Sequence, residues 1–151
     1  MKKIEIDTFL KFRFLSNPHF SPDGTKIAFT VSVPDRETNG YLSDLYLYDL
    51  GKKTVSRVTC SGDAKTWSWT AENTLIFTAA RTAALKKEKE NGTSFLYEIS
   101  PSGGEAQCIT SIPATVTGIR LLPDGRYLLT IRHDNYRDTR KKSYEVFDEL
   151  P

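Results

Sequence analysis

Apolar and polar residues alternate in short runs along this chain, a period of two that argues for strands rather than helices. Asp44-Leu-Tyr-Leu-Tyr-Asp-Leu50 is the plainest case, and Ile27–Val31 is another run of β-branched and aromatic residues. Three segments repeat one design: Phe20-Ser-Pro-Asp-Gly-Thr-Lys-Ile-Ala-Phe-Thr30, Trp69-Thr-Ala-Glu-Asn-Thr-Leu-Ile-Phe-Thr78 and Leu121-Leu-Pro-Asp-Gly-Arg-Tyr-Leu-Leu-Thr130. Their closing threonines lie 48 and 52 residues apart (78 − 30 and 130 − 78). Further on, Leu45-Tyr46 recurs as Leu96-Tyr97 and Val58-Thr59 as Ile109-Thr110, each with a spacing of 51. Two independent anchors with one offset identify an internal repeat, which fixes the fold class before any local detail.

Each unit reads as four strands. The first two flank a turn in which Pro22 presets φ and Gly24 supplies a left-handed conformation, and Leu122-Pro-Asp-Gly125 repeats it. Asn73 takes the glycine position in the middle unit, and asparagine tolerates that conformation better than most residues. A third strand over 44–50 and a fourth over 54–59 follow in the first unit. The second unit matches them with 94–100, a Pro101-Ser-Gly-Gly104 turn and 106–110. Long polar inserts are expected between second and third strands, at 33–43, 81–93 and 132–142. Of these, Arg81–Asn91, with Leu85 and its Lys/Glu run, suits a short helix, either a solvated charged loop or an arm for partner binding or gating. Asp7 suits the N-cap of a short helical lead-in.

Four antiparallel strands in ~40–50 residues describe a β-propeller blade. The expected fold is therefore all-β, an incomplete propeller of about two and a half four-stranded blades. Residues 1–15 form the lead-in, 16–60 the first blade, 61–111 the second, and 112–151 an incomplete third. Closed propellers use ~4–8 blades, and four at this spacing need about 200 residues. A chain of 151 residues does not close such a ring.

Composition narrows the function classes. Twenty-one Lys and Arg stand against 19 Asp and Glu, and a net charge of +2 gives no broad field for a polyanion. No apolar run approaches the ~18 residues of a membrane span, and no apolar stretch follows Lys2-Lys3, so neither a membrane location nor a secretory signal is expected. Cys60 and Cys108 are too few for a disulfide framework or a four-cysteine zinc site. They are expected to be two separate, buried or half-buried, reduced thiols in a cytoplasmic protein.

The candidate chemistry is sparse. No serine has the flanking glycines of a nucleophile elbow. His133-Asp134 has no nucleophile beside it and reads as a loop histidine, and His19 belongs packed or exposed at a blade edge. The cysteines and histidines lack metal-ligand spacing. Gly51-Lys-Lys-Thr54 imitates the end of a phosphate loop, but Tyr46 stands where its first glycine belongs. Asn91-Gly-Thr93 is a sequon by letter only, without an export signal. Arg137, Arg140, Lys141 and Lys142 lie among Tyr136 and Tyr144, a pattern that stacks on single-stranded nucleic acid, but Asp134, Asp138 and Glu145 interrupt it. Trp67 and Trp69 are expected on opposite faces of their strand, one packed between blades. No catalytic, cofactor-binding or metal residue is expected, and no cofactor.

Asn17-Pro-His-Phe-Ser-Pro-Asp-Gly24 with Lys-Ile-Ala-Phe-Thr behind it resembles the opening blade of prolyl oligopeptidase-family serine peptidases, in particular their acylaminoacyl-peptidase-like branch. Leu96-Tyr97, Pro101–Gly104 and Ile109-Thr110 resemble that branch's second blade, and Asp148-Glu-Leu-Pro151 is similar to part of its third. The resemblance implies a seven-bladed N-terminal propeller over a C-terminal α/β-hydrolase domain carrying a Ser-Asp-His triad, with the propeller screening peptides by access. It implies that this chain is the non-catalytic front of a larger enzyme, with the hydrolase domain and peptide substrates as partners. The alternative is a stand-alone protein-binding module that oligomerises to complete its sheet, pairing at Tyr144–Leu150.

Overall fold

The computed structural model describes residues 6–132. It contains a short 3₁₀ helix, ten strands and one α-helix in three antiparallel sheets, following the repeat. The first sheet is β1 (Phe14–Phe20), β2 (Lys26–Asp35), β3 (Gly40–Asp49) and β4 (Thr54–Arg57), in chain order. The second is β5 (Trp67–Trp69), β6 (Leu75–Thr78), β7 (Ser94–Ile99) and β8 (Gln107–Ile112), and α1 (Ala83–Glu90) connects β6 to β7. The third, as far as it is described, pairs β9 (Thr115–Leu121) with β10 (Tyr127–Arg132). This is the meander of propeller blades, open rather than closed. The remainder of the third unit, including His133, the Arg137–Lys142 cluster and Tyr144–Leu150, lies outside the described residues.

The three turns form as their sequences require. Gly24, Asn73 and Gly125 all have positive φ, at 69°, 60° and 82°. In each, the amide donates to the carbonyl three residues earlier: Gly24 to Ser21, Asn73 to Thr70, Gly125 to Leu122. Blade 1 carries one residue more: its loop closes Ser21 N to Lys26 O, while the others close Thr70 N to Thr74 O and Leu122 N to Arg126 O.

One hydrophobic core joins the first two blades. Alternate residues of β2 and β3, Ala28, Leu45 and Leu47, meet Trp67, Trp69, Leu75, Phe77, Phe95, Tyr97 and Ile99. Two indole hydrogen bonds cross this seam: Trp67 Nε1 donates to Thr30 Oγ1 at 2.9 Å, and Trp69 Nε1 to the His19 carbonyl at 3.1 Å. Where the chain passes to the next blade it runs beside the previous third strand. Ala64 N donates to Ser43 O, and Val116 N donates to Ser94 Oγ at 2.8 Å.

Four expectations need correction. Trp67 and Trp69 are both buried on the same face, because residues two apart on a strand share a side. The first polar insert shrinks to residues 36–39, since β2 and β3 pair as far as Asp35↔Gly40. There Asp35 Oδ2 accepts from Thr38 N and Oγ1, and Asn39 takes φ 47°, making a tight turn out of apparent loop sequence. Asp7 lies inside the first turn of the 3₁₀ helix Ile6–Lys11, two residues too late to cap it. The fourth strand of blade 1 stops at Arg57 because Val58 N and Thr59 N both turn to Leu45 O.

The helix at 83–90 forms as expected. Thr82 Oγ1 accepts from Leu85 N as its N-cap, Leu85 packs against the core, and Lys89 pairs with Asp63 at 3.2 Å.

Candidate functional site

The first strand of each sheet, β1, β5 and β9, contributes to one concave surface, which gathers described residues from all three sheets. One recess of about 350 Å³ is lined by His19, Phe20, Pro22, Trp67, Ser68, Trp69, Ile119, Arg120 and Leu121. A second of about 190 Å³ adds Asn17, Lys65, Thr66, Thr117 and Gly118, and the two share His19, Trp67 and Ile119. The His19 ring meets Trp67 edge-on, with centroids 5.6 Å apart. Trp67 and Trp69 are held by their cross-seam bonds, so the floor is rigid, while Lys65, Arg120 and His19 are exposed at its walls. Gly118 lets β10 approach closely: a Cβ there would meet Thr130 Oγ1 at 3.2 Å.

A third recess, about 290 Å³, opens on the other face of blade 1 and is lined by Arg13, Val31, Val33, Leu42, Asp44, Tyr46, Arg57, Cys60, Ser61 and Gly62. Its one carboxylate is engaged internally. Asp44 is buried, receives Arg57 Nη2 at 2.6 Å, and also accepts from Thr59 Oγ1 and Gly62 N. The hydrogen bond to Asp44 raises the Arg57 pKa above its ordinary value. This is a brace tying β4 and the crossover to β3.

Each of the three turns carries an acidic residue at the equivalent position, Asp23, Glu72 and Asp124. Hydrogen bonds from Ser21 Oγ, Thr25 N and Thr25 Oγ1 lower the Asp23 pKa to about 2. Arg126 lowers that of Asp124 in the same way. Asp23 N also donates to Asn73 Oδ1 at 3.0 Å, linking one blade's turn to the next.

The residues singled out from sequence fall apart in space. Cys60 follows β4 and Cys108 lies on β8, and both are exposed, not buried. The reason is position: β4 and β8 are outermost strands, exposed along nearly all their length. Gly51–Thr54 is the turn joining β3 and β4, with Lys53 at φ 56°, and shares nothing with a phosphate loop. Asn91-Gly-Thr93 follows α1 directly. Among the described residues no group of three or more His, Cys, Asp or Glu is arranged to hold a metal, and no helix is long and apolar enough to cross a membrane. The inner-strand groove escaped sequence reasoning because each strand contributes only a few residues, about fifty apart. The only local hint was the Trp67-Ser-Trp69 pair.

The fold defines a propeller segment, and its likenesses are to peptidases. Over 156 aligned residues, 96% of this chain, it is 29% identical to the uncharacterized peptidase YuxL of Bacillus subtilis. The chain spans about a fifth of that relative, 22% of its length. A scan against protein-family models finds no match. Among solved structures, Pyrococcus horikoshii acylaminoacyl peptidase superposes on 96% of this chain with a TM-score of 0.63 at 17% identity, using 21% of its own chain. An acylaminoacyl peptidase in complex with Z-Gly-Gly-Phe-chloromethyl ketone matches 85% of this chain with 0.62 at 18%, using 19% of its own. The β-propeller domain of the Trilobed protease from Pyrococcus furiosus, described as having an open velcro topology, matches 80% with 0.58 at 16%, using 34% of its own. The resemblance stated from the residues thus agrees with fold and relative alike, and the chain is an open, incomplete propeller similar to the propeller portions of such peptidases.

Proposed function

We propose that this chain is the N-terminal propeller segment of an acylaminoacyl-peptidase-like serine peptidase, and that it helps wall the path by which peptides reach a hydrolase domain carried elsewhere in the protein. The observation that carries the reading is the 29% identity to a peptidase across 96% of the chain, together with the propeller fold. The repeat units serve as its blades, none of the residues 1–151 performs the bond cleavage, and no cofactor takes part. A cytoplasmic setting belongs to the same reading, on the reduced thiols expected of Cys60 and Cys108.

The test is the intact mass of the cellular species captured with antibodies against residues 6–132. A species several times heavier than 17.1 kDa that hydrolyses an N-acetyl-amino-acid p-nitroanilide supports the proposal. A sole species of 17.1 kDa overturns it in favour of the self-associating binding module. Hydrolysis by the purified 151-residue chain itself would also overturn the non-catalytic role.

A further inference from the structure

The inner-strand groove has a charge character that the access role does not require. Lys65 lines its smaller recess, Arg120 its larger one and His19 both, while no carboxylate lines either recess among the described residues. The ion pairs formed by described residues occupy Arg36, Arg57, Lys89 and Arg126, so the ammonium of Lys65 and the guanidinium of Arg120 are left without a described acidic partner. Phe20 and Trp69 line the recess of Arg120, and Trp67 and Ile119 line both recesses, an apolar wall that strengthens the field of nearby cations. Asp23, Glu72 and Asp124 stand on the turns beyond the groove rather than in it. Such a surface fits a short ligand with an apolar body and an anionic end.

We propose that this groove is a carboxylate-reading subsite for peptides, in which Arg120 and Lys65 hold a peptide carboxylate and Phe20, Trp67 and Trp69 cover the adjoining apolar side chain. The guanidinium fork suits a carboxylate bidentately, and the ammonium adds a second point of attraction. The inference rests on the peptidase reading only for the ligand being a peptide; the carboxylate preference rests on the groove itself.

The two tryptophans of the chain both line the groove, so their fluorescence reports occupancy without a label. The full 151-residue chain is titrated with N-acetyl-Ala-Ala-Phe, its C-terminal amide, and N-acetyl-Ala-Glu-Phe amide. The free acid is expected to give a saturable change and the first amide to bind at least about tenfold more weakly, the scale of losing one charge-assisted hydrogen bond. If the glutamyl amide matches the acid, a side-chain carboxylate is read as well as a terminal one; if it matches the first amide, only the terminal one is. Arg120→Gln is expected to weaken the acid about tenfold, and Lys52→Gln, on the remote β3–β4 turn, to leave it unchanged. Raising the ionic strength from about 0.05 to about 0.5 M is expected to weaken the acid and spare the amide.

Equal affinity for acid and amide, no saturable change with any peptide, a folded Arg120→Gln chain that binds normally, or tighter binding of a short oligonucleotide would overturn the subsite. Should Arg120→Gln fail to fold, the acid-against-amide comparison on the natural chain still decides. A sole 17.1 kDa cellular species with the acid preference intact would sink the peptidase reading and keep the subsite. A heavy species without that preference would do the reverse.

Discussion

Blade 1 and blade 2 share a sequence plan and a topology, but their innermost strands live in opposite environments. β1 is exposed along its whole length, with Phe20 65% accessible, while the matching Trp69 in β5 is 5% accessible. The stacked pair Phe29–Tyr46 in blade 1 has its counterpart in Phe77–Tyr97, with nearly the same centroid separation of 6.0 Å and the same tilt, 28° and 29°. The first pair is half-buried and the second is buried. A blade therefore builds its own pleat and pairing, but its burial comes from the blade before it. Blade 2 has blade 1 to lean on. Blade 1 presents the corresponding face, including Ile27, Phe29, Tyr46 and the recess around Asp44, with no described sheet against it.

Truncating the two stacked phenylalanines breaks or confirms this contrast most sharply. Phe77→Ala is expected to destabilise the chain by about 3–5 kcal/mol, and Phe29→Ala by no more than about half as much, since less packing is lost at a half-buried site. Urea unfolding followed by tryptophan fluorescence measures both. Equal losses would mean that each blade is stabilised from within.

The two buried-edge aspartates offer the next comparison. Asp44→Ala leaves the Thr59 hydroxyl and Gly62 amide without an acceptor and frees Arg57, a loss expected near 2–3 kcal/mol. Lys89→Ala removes only a pair whose lysine is 47% exposed, and is expected to cost under about 1 kcal/mol. Asp63 keeps its bond from Ala80 N in that variant, although its Oδ1 has no partner in either case. A large effect of Lys89→Ala would show that α1 is held to the seam by charge instead of by Leu85 and its N-cap.

Smaller effects separate the turns. Asn73→Gly keeps the left-handed backbone but deletes the acceptor for Asp23 N, for an expected loss of about 1 kcal/mol. Asn73→Ala adds the cost of that backbone for a residue with a Cβ, roughly another 1–2 kcal/mol. Identical losses from the two variants would remove any role for the cross-blade bond. The slightest effect is expected from acid. Asp23 titrates near 2 in the folded chain, below its ordinary value, so its contribution is complete above about pH 4 and fades as pH falls toward 2. The melting temperature of Asp23→Asn should accordingly lie below that of the natural chain at neutral pH and converge with it in acid.

Much of the architecture was legible because a repeat states the same element three times. The Pro-Asp-Gly turns, the strand at Asp44–Leu50 and the helix around Leu85 each had local chemistry that the fold kept. The β2–β3 hairpin runs further than expected because Pro34 and the charged residues after it look like loop, although Asn39-Gly40 is a hairpin signal in its own right. The shared face of Trp67 and Trp69 follows from their spacing of two on one strand, a period that the sequence carries. Cysteine exposure needed knowledge of which strand is outermost, a property of sheet order. The groove needed three strands brought together across about fifty residues each, and no short-range pattern records that.

The bond from Asp23 to Asn73 bears on how a self-similar chain keeps its parts in order. Units with near-identical pleats can dock on the wrong neighbour, a hazard of repetitive chains. Where the other two turns carry glycine, the middle one carries a side chain that grips the turn before it. One amide oxygen thus serves as a place mark. It distinguishes the second position in the series from the others and rewards only the assembly in which the blades follow their order along the chain.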